Sequence, residues 1–320
     1  MAGAPADLHI VDAGGTHELA TVELLHRQGY FEQLGVRVRR TYVTNGADAA
    51  DLVLSGACDA AIQIGFGPAL AAINAGAPLR VIAAANLLTV HAIYSRQSDI
   101  RSLRDLAGRT LGIGKHGALV HQLAYAALLK AGVDPSTVRF VTIGNSAAIF
   151  RALLAGQIDA GFGETDVFDH QAKYGVHALD GGALWRELPH FPNQASFANL
   201  AALEGKRDTL VRVLAAHALL YRCLHNPQSW PLFDTAWRAA LPGAHDGEGR
   251  SQWDFYQAHH PFAADLMLPE ASLAYLQDLN VRMGIQHQAL PYAAIADMSL
   301  AQEALAMIGR PSNQETSARG

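Results

Sequence analysis

The sequence predicts an α/β protein of two similarly wound lobes, each a mostly parallel sheet flanked by helices, and three observations predict it. One helix-to-strand step occurs twice, as Leu54-Ser55-Gly56-Ala57-Cys58-Asp59-Ala60 and as Leu154-Ala155-Gly156-Gln157-Ile158-Asp159-Ala160, a hundred residues apart. In each copy an apolar-periodic helix stops at a glycine able to take the left-handed conformation, and the chain re-enters a sheet behind an aspartate. Strand and helix patterns alternate around both copies, as they do in parallel sheets. Finally, 320 residues, 50% hydrophobic and 17% charged, suffice for about two packed domains without staples.

Charge and cysteine content exclude several classes of function. The net charge is −5, from 24 basic and 29 acidic residues with no basic stripe, which argues against a nucleic-acid partner. Cys58 and Cys223 are too few for a disulfide framework and lack metal-binding or redox spacing, so both read as small buried hydrophobes. With no run of 18 apolar residues the chain inserts into no membrane. Only seven residues precede the first strand-like stretch, which leaves no room for an export signal. The expectation is therefore a cytoplasmic protein, or a periplasmic one whose signal peptide has been removed.

In order along the chain, strand Leu8–Val11 leads through Gly14-Gly15-Thr16-His17 into a helix, with Thr16 as candidate N-cap. A helix break at Gly29-Tyr30-Phe31 and a strand from Val36 follow. The first repeat copy then gives strand Ala60–Ile64, a turn at Gly65-Phe66-Gly67-Pro68 with Pro68 opening a helix, and strand Leu79–Ala85 ending at Asn86. Val90–Tyr94 is an extended crossover, and Ser102–Gly108 a short capped helix. The second lobe alternates likewise: strand Thr110–Ile113, the loop Lys115-His116-Gly117-Ala118, a long helix, strand Arg139–Ile143, Asn145-Ser146, and the second copy running out into Glu164-Thr165-Asp166. Val176–Leu179 is its last strand, and Ser196–Leu200 carries the chain back. The remainder reads as helical over Lys206–Leu224, Leu273–Met283 and Leu300–Ile308, packing on the first lobe. The lobes are thus expected at residues 1–90 with 195–310, and at 91–194 inserted between them, followed by a disordered tail over 311–320.

Gly29-Tyr30-Phe31-Glu32-Gln33-Leu34-Gly35-Val36-Arg37-Val38, the two glycine–aspartate steps and Ile100–Ile113, in that order, resemble the periplasmic substrate-binding proteins of the nitrate, sulfonate, taurine and thiamine-pyrimidine-precursor type. The resemblance spans residues 8 to 310. It implies a type 2 periplasmic-binding-protein fold with two crossover strands, a ligand cleft between the lobes, and capture of a small polar molecule for an ABC permease by a monomer. Some relatives on this fold are enzymes, among them a pyrimidine-precursor synthase, decarboxylases and desulfinases, and a cytosolic ligand sensor is a third possibility. The synthase's cysteine-rich motif is absent here, as is a Gly-x-Ser-x-Gly turn, so catalysis stays the alternative and no cofactor is expected. Two departures bear on ligand class: Gly117-Ala118 stands where oxyanion binders often carry Gly-Ser, and Glu164-Thr165 where many relatives carry an aromatic.

The residues lead to the same cleft without the resemblance. Ligands of open parallel sheets sit beyond the strands' carboxyl ends. The residues there are Gly15, Thr16, His17, Gly65, Phe66, Asn86, His116, Gly117, Ala118, Asn145, Glu164 and Thr165. Helix starts favour an accepting or anionic group, whereas Glu164 and Asp166 favour a donor, so a ligand with mixed donors and acceptors is read. His116 and His121 are five apart, which does not put two metal ligands on one helical face. Phe66 reads equally as a ring stacking on a planar ligand or as a core plug. Glu164 reads as a helix cap or as a ligand contact across the cleft from His17 and Phe66.

Overall fold

The computed structural model describes residues 6–309 and contains two five-stranded sheets. The first is built from β1 (Ala6–Ala13), β2 (Val36–Val43), β3 (Ala60–Ile64) and β4 (Leu79–Ala84), the second from β5 (Ala92–Ser95), β6 (Thr110–Ile113), β7 (Arg139–Thr142), β8 (Ala160–Gly163) and β9 (His177–Ala183). The last strand, β10 (Ala195–Asn199), returns to the first sheet. The strand orders are β2-β1-β3-β10-β4 and β7-β6-β8-β5-β9. In each sheet one strand runs against its neighbours, and it is the crossover strand: β10 between β3 and β4, β5 between β8 and β9. The two crossings tie the lobes together. The expected tail over 311–320 lies outside the described residues.

The hundred-residue repeat has a physical basis. Gly56 and Gly156 end their helices at φ +73° and +70°, where a side chain would be strained. Asp59 Oδ2 then accepts the backbone N–H of His9 at 2.9 Å, and Asp159 Oδ2 accepts that of Thr110 at 2.7 Å. Each aspartate thereby fixes its strand to the neighbouring parallel one, β1 or β6. The symmetry extends upstream, because Asn45 caps the helix Gly46–Leu54 through Ala47 and Asp48 N–H, and Asn145 caps Ser146–Leu154 through Ala148 N–H. Both helices consequently start at the carboxyl end of their sheet, aimed at the same space.

The structure departs from the sequence reading in two places that matter for the site. Thr16 is not the N-cap: Gly15 holds that position with φ −74° and ψ 165°, and no side chain caps the helix Thr16–Arg27. In addition, two helices stand where none was read, Trp230–Ala240 and Arg250–His259. Their side chains form an aromatic cluster in which the Phe233 ring lies 5.2 Å from Trp253, 5.8 Å from Trp237 and 5.8 Å from Tyr256. Tertiary packing of aromatics, more than local propensity, holds them. Both cysteines are buried and free. Among the described residues no helix is long and apolar enough to cross a membrane.

Candidate functional site

The carboxyl ends of both sheets face a cavity of about 420 Å³ between the lobes. The first lobe contributes the turn after β1, the Asn45 helix start, the end of β3 and Asn86; the second contributes the turn after β6, the Asn145 helix start and the end of β8. Of the residues expected at the site, Gly15, Thr16, His17, Gly65, Asn86, Ala118, Asn145 and Glu164 line this cavity. Four others lie away from it. Phe66 is 1% exposed within the core, which makes it the plug. His116 is turned to solvent, its ring 4.1 Å from that of His121. Gly117, at φ +76°, packs toward Ile285 and donates its N–H to His121 Nδ1 at 3.0 Å. Thr165 is buried, and its hydroxyl donates to Gln252 Oε1 at 2.9 Å.

At the centre, the His17 imidazole Nε2 pairs directly with the Glu164 carboxylate across the cleft. Glu164 begins a helix, but its side chain makes no capping bond. It accepts instead from Ser146 Oγ at 2.7 Å, and the Tyr94 hydroxyl donates to its carbonyl at 3.1 Å. Burial by itself favours a neutral His17, yet the facing carboxylate overrides it and pushes the pKa up to about 9. Burial likewise opposes the Glu164 charge, but His17 and Ser146 draw its pKa down to about 2. Both groups are therefore ionised at neutral pH. Burial and the charge of Glu164 raise the carboxyl of neighbouring Glu18, and burial raises that of Asp166. Burial lowers His91, whose Nδ1 meets Thr89 Oγ1 at 2.9 Å.

Several lining residues escaped the sequence reading. Trp237 lies with its ring 5.7 Å from that of His17, and Tyr256 and Phe262 extend the aromatic wall. Asn193 and Gln194 enter just before β10. Their signal in the sequence is Pro189–Asn193, where two prolines and an asparagine mark a linker. Four atoms of this wall are buried without a partner among the described residues: Trp237 Nε1, His17 Nδ1, Asn193 Oδ1 and Gln194 Oε1. Each unpaired buried polar atom costs about 1–3 kcal/mol, which an occupant with complementary groups would relieve. Gln63, at the end of β3, holds a left-handed φ of 50°, a strained conformation beside the cavity.

Ser146 donates to the Glu164 carboxylate, which His17 holds at a pKa of about 2, and makes no bond to His17, so the base its hydroxyl meets is a weak one. Among the described residues no group of three or more His, Cys, Asp or Glu side chains could hold a metal ion.

Comparison with known proteins bears on the family and the fold. A family model described as NMT1/THI5 like matches residues 24–227. No curated protein sequence matches the chain. Among solved structures, the periplasmic nitrate-binding protein NrtA from Synechocystis PCC 6803 superposes with a TM-score of 0.76 at 12% identity, covering 99% of this chain and 93% of its own. The alkanesulfonate-binding protein SsuA from Xanthomonas axonopodis pv. citri, bound to MOPS, gives 0.73 at 17% identity, with 92% and 99% covered. A ligand-binding component of an ABC-type import system from Staphylococcus aureus, with zinc bound, gives 0.73 at 14%, with 93% and 99% covered. At these identities the likeness shows the two-lobed fold of periplasmic binding proteins.

Proposed function

The chain belongs to the NMT1/THI5-like family, and from there we propose that it is a substrate-binding protein that captures a small polar organic molecule between its lobes for an ABC-type importer. The lobes of this reading are residues 1–90 with 195–310, and 91–194, working as a monomer on the outer side of the membrane that holds the permease. The observation that carries it is the cavity of about 420 Å³ at the carboxyl ends of both sheets, bridged by an ion pair between buried His17 and partly buried Glu164, one partner on each lobe. A site assembled from two lobes forms only when they close, which couples binding to shape. The import component and the two binding proteins of the same fold support the transport part of the reading.

Thermal-shift screening of sulfonates, pyrimidines, polyamines and aromatic carboxamides tests it, since a ligand of the native state raises the melting temperature by mass action. Small-angle scattering of a hit should show a smaller radius of gyration, and mass spectrometry should recover the ligand unchanged. A second reading, an enzyme on the same fold, is favoured by one feature, the imidazolium of His17 held in the cleft as a proton donor. Turnover beyond one equivalent of a bound ligand would establish it instead.

A further inference from the structure

Gln194 is pinned from both ends. Its backbone N–H donates to Asn86 O at 2.7 Å and its carbonyl accepts from Ala85 N–H at 3.1 Å, which holds the residue at the end of β4. Its side-chain Nε2 donates to Glu18 Oε1 at 2.9 Å. The ionised form of Glu18 accepts only, so this contact turns the amide nitrogen toward it and leaves Oε1 as the free end. Glu18 reaches this position by folding back over the start of its own helix. A Cβ on Gly15 would collide with Glu18 Oε2 and push the carboxylate aside, so the glycine is what leaves it room.

Gln194 Oε1 is thus an acceptor of fixed orientation, and it belongs to a residue 5% exposed that lines the cleft without a partner for that atom. The Nε1–H of Trp237, 6% exposed on the same cavity wall, is an unpartnered donor. The central His17–Glu164 pair neutralises itself. Resting on the capture reading above, we propose that Gln194 is a specificity-determining residue, with Glu18 as its positioning residue, and that the ligand is an uncharged molecule whose edge presents an N–H beside an acceptor, as a carboxamide or a cyclic amide does. An oxyanion offers acceptors alone. It would face the fixed oxygen of Gln194 with lone pairs and offer it no hydrogen to accept.

Benzamide, benzoate and benzenesulfonate share one ring and differ in the group that decides the matter. In saturation-transfer NMR titrations, the parent protein should bind benzamide at least about tenfold more tightly than either anion. Glu18→Gln, whose amide can donate as well as accept, frees the Gln194 amide to turn, and the preference should fall below about threefold while the melting temperature holds. A merely structural Glu18 would instead shift all three affinities in parallel, and that result overturns its positioning role. Gln194→Met keeps the volume and should remove the preference for benzamide. Binding confined to the two anions, or binding of none of the three, overturns the inference and leaves the capture reading to the broader screen. Conversion of benzamide by the parent overturns the capture reading itself.

Discussion

The pair of His17 and Glu164 is where a single residue should matter most. Removing one partner of a largely buried ion pair costs about 3–5 kcal/mol, and here His17, without the carboxylate that holds its proton, would give up its charge. Glu164→Gln should show a loss of that order in denaturant unfolding at pH 6, with ligand affinity lowered about tenfold or more. The pH dependence follows from both shifts. The folded pKa of His17 is raised to about 9 from 6.5, so its contribution is fully present below 6.5 and disappears as pH rises through 9. That of Glu164 is lowered to about 2 from 4.5, so its contribution is present above 4.5 and disappears as pH falls through 2. The pair therefore stabilises most between about pH 4.5 and 6.5, and the gap between parent and Glu164→Gln should narrow markedly at pH 9.5. An equal gap at pH 6 and 9.5 would show that the pair is not the charged one described. Both residues were legible in the sequence because each follows a strand end by a few positions. Their direct contact was not, since nothing in sequence spacing says whether two lobes meet through a ligand or through each other.

Elements carry the repeat, and here the sequence was most readable. Glycine stops and strand-entry aspartates are local chemistry, so their spacing alone marks two equivalent units, and the structure adds the Asn45 and Asn145 caps to each. The reason for the aspartates lies in the sheets. Asp159 accepts from Thr110 N–H and Oγ1, both at 2.7 Å, and from Gln97 Nε2 at 2.6 Å. Those bonds overcome the effect of burial and hold its pKa below the usual range. Asp159→Ala should cost about 1–3 kcal/mol, because it leaves the N–H at the start of β6 without its acceptor. Asn145→Ala, which removes only a helix cap, should cost about 1 kcal/mol. Urea unfolding of the two variants gives the comparison, and a smaller loss for Asp159→Ala than for Asn145→Ala would contradict the clamp. The helices Trp230–Ala240 and Arg250–His259 were not legible for the converse reason. Their order depends on aromatic contacts among Phe233, Trp237, Trp253 and Tyr256, and the Gly243, Gly247 and Gly249 between them read as loop. With those helices went Trp237, and with it the aromatic wall of the site.

On the scale of the whole molecule, two seams flank the cleft and join the lobes. On one side Gln122 Nε2, from the helix Leu119–Lys130 of the second lobe, donates to Asn280 Oδ1 at 2.6 Å on the helix Glu270–Arg282. The Asn280 amide donates in turn to Gly67 O of the first lobe at 3.2 Å, and the Tyr125 hydroxyl donates to Arg282 O at 3.2 Å. On the other side Thr165 meets Gln252, and the Trp185 and Phe255 rings lie 5.6 Å apart. Asn280 is fully buried and holds both lobes through one amide without lining the cavity, so its removal is expected to favour an open form. Asn280→Ala would leave Gln122 and Gly67 short of a partner, at about 1–3 kcal/mol. A ligand that needs the closed form binds more weakly by the factor that closure loses, since apparent affinity scales with the competent population. With a ligand from the screen at 100 times its Kd, the parent should gain about 2.7 kcal/mol of stability. At the same ligand concentration Asn280→Ala should gain less, and its radius of gyration without ligand should exceed the parent's. Calorimetric titration and small-angle scattering on the two proteins measure both quantities. If the variant loses stability while its Kd and its radius match those of the parent, Asn280 only packs a helix, and the seams do not govern closure.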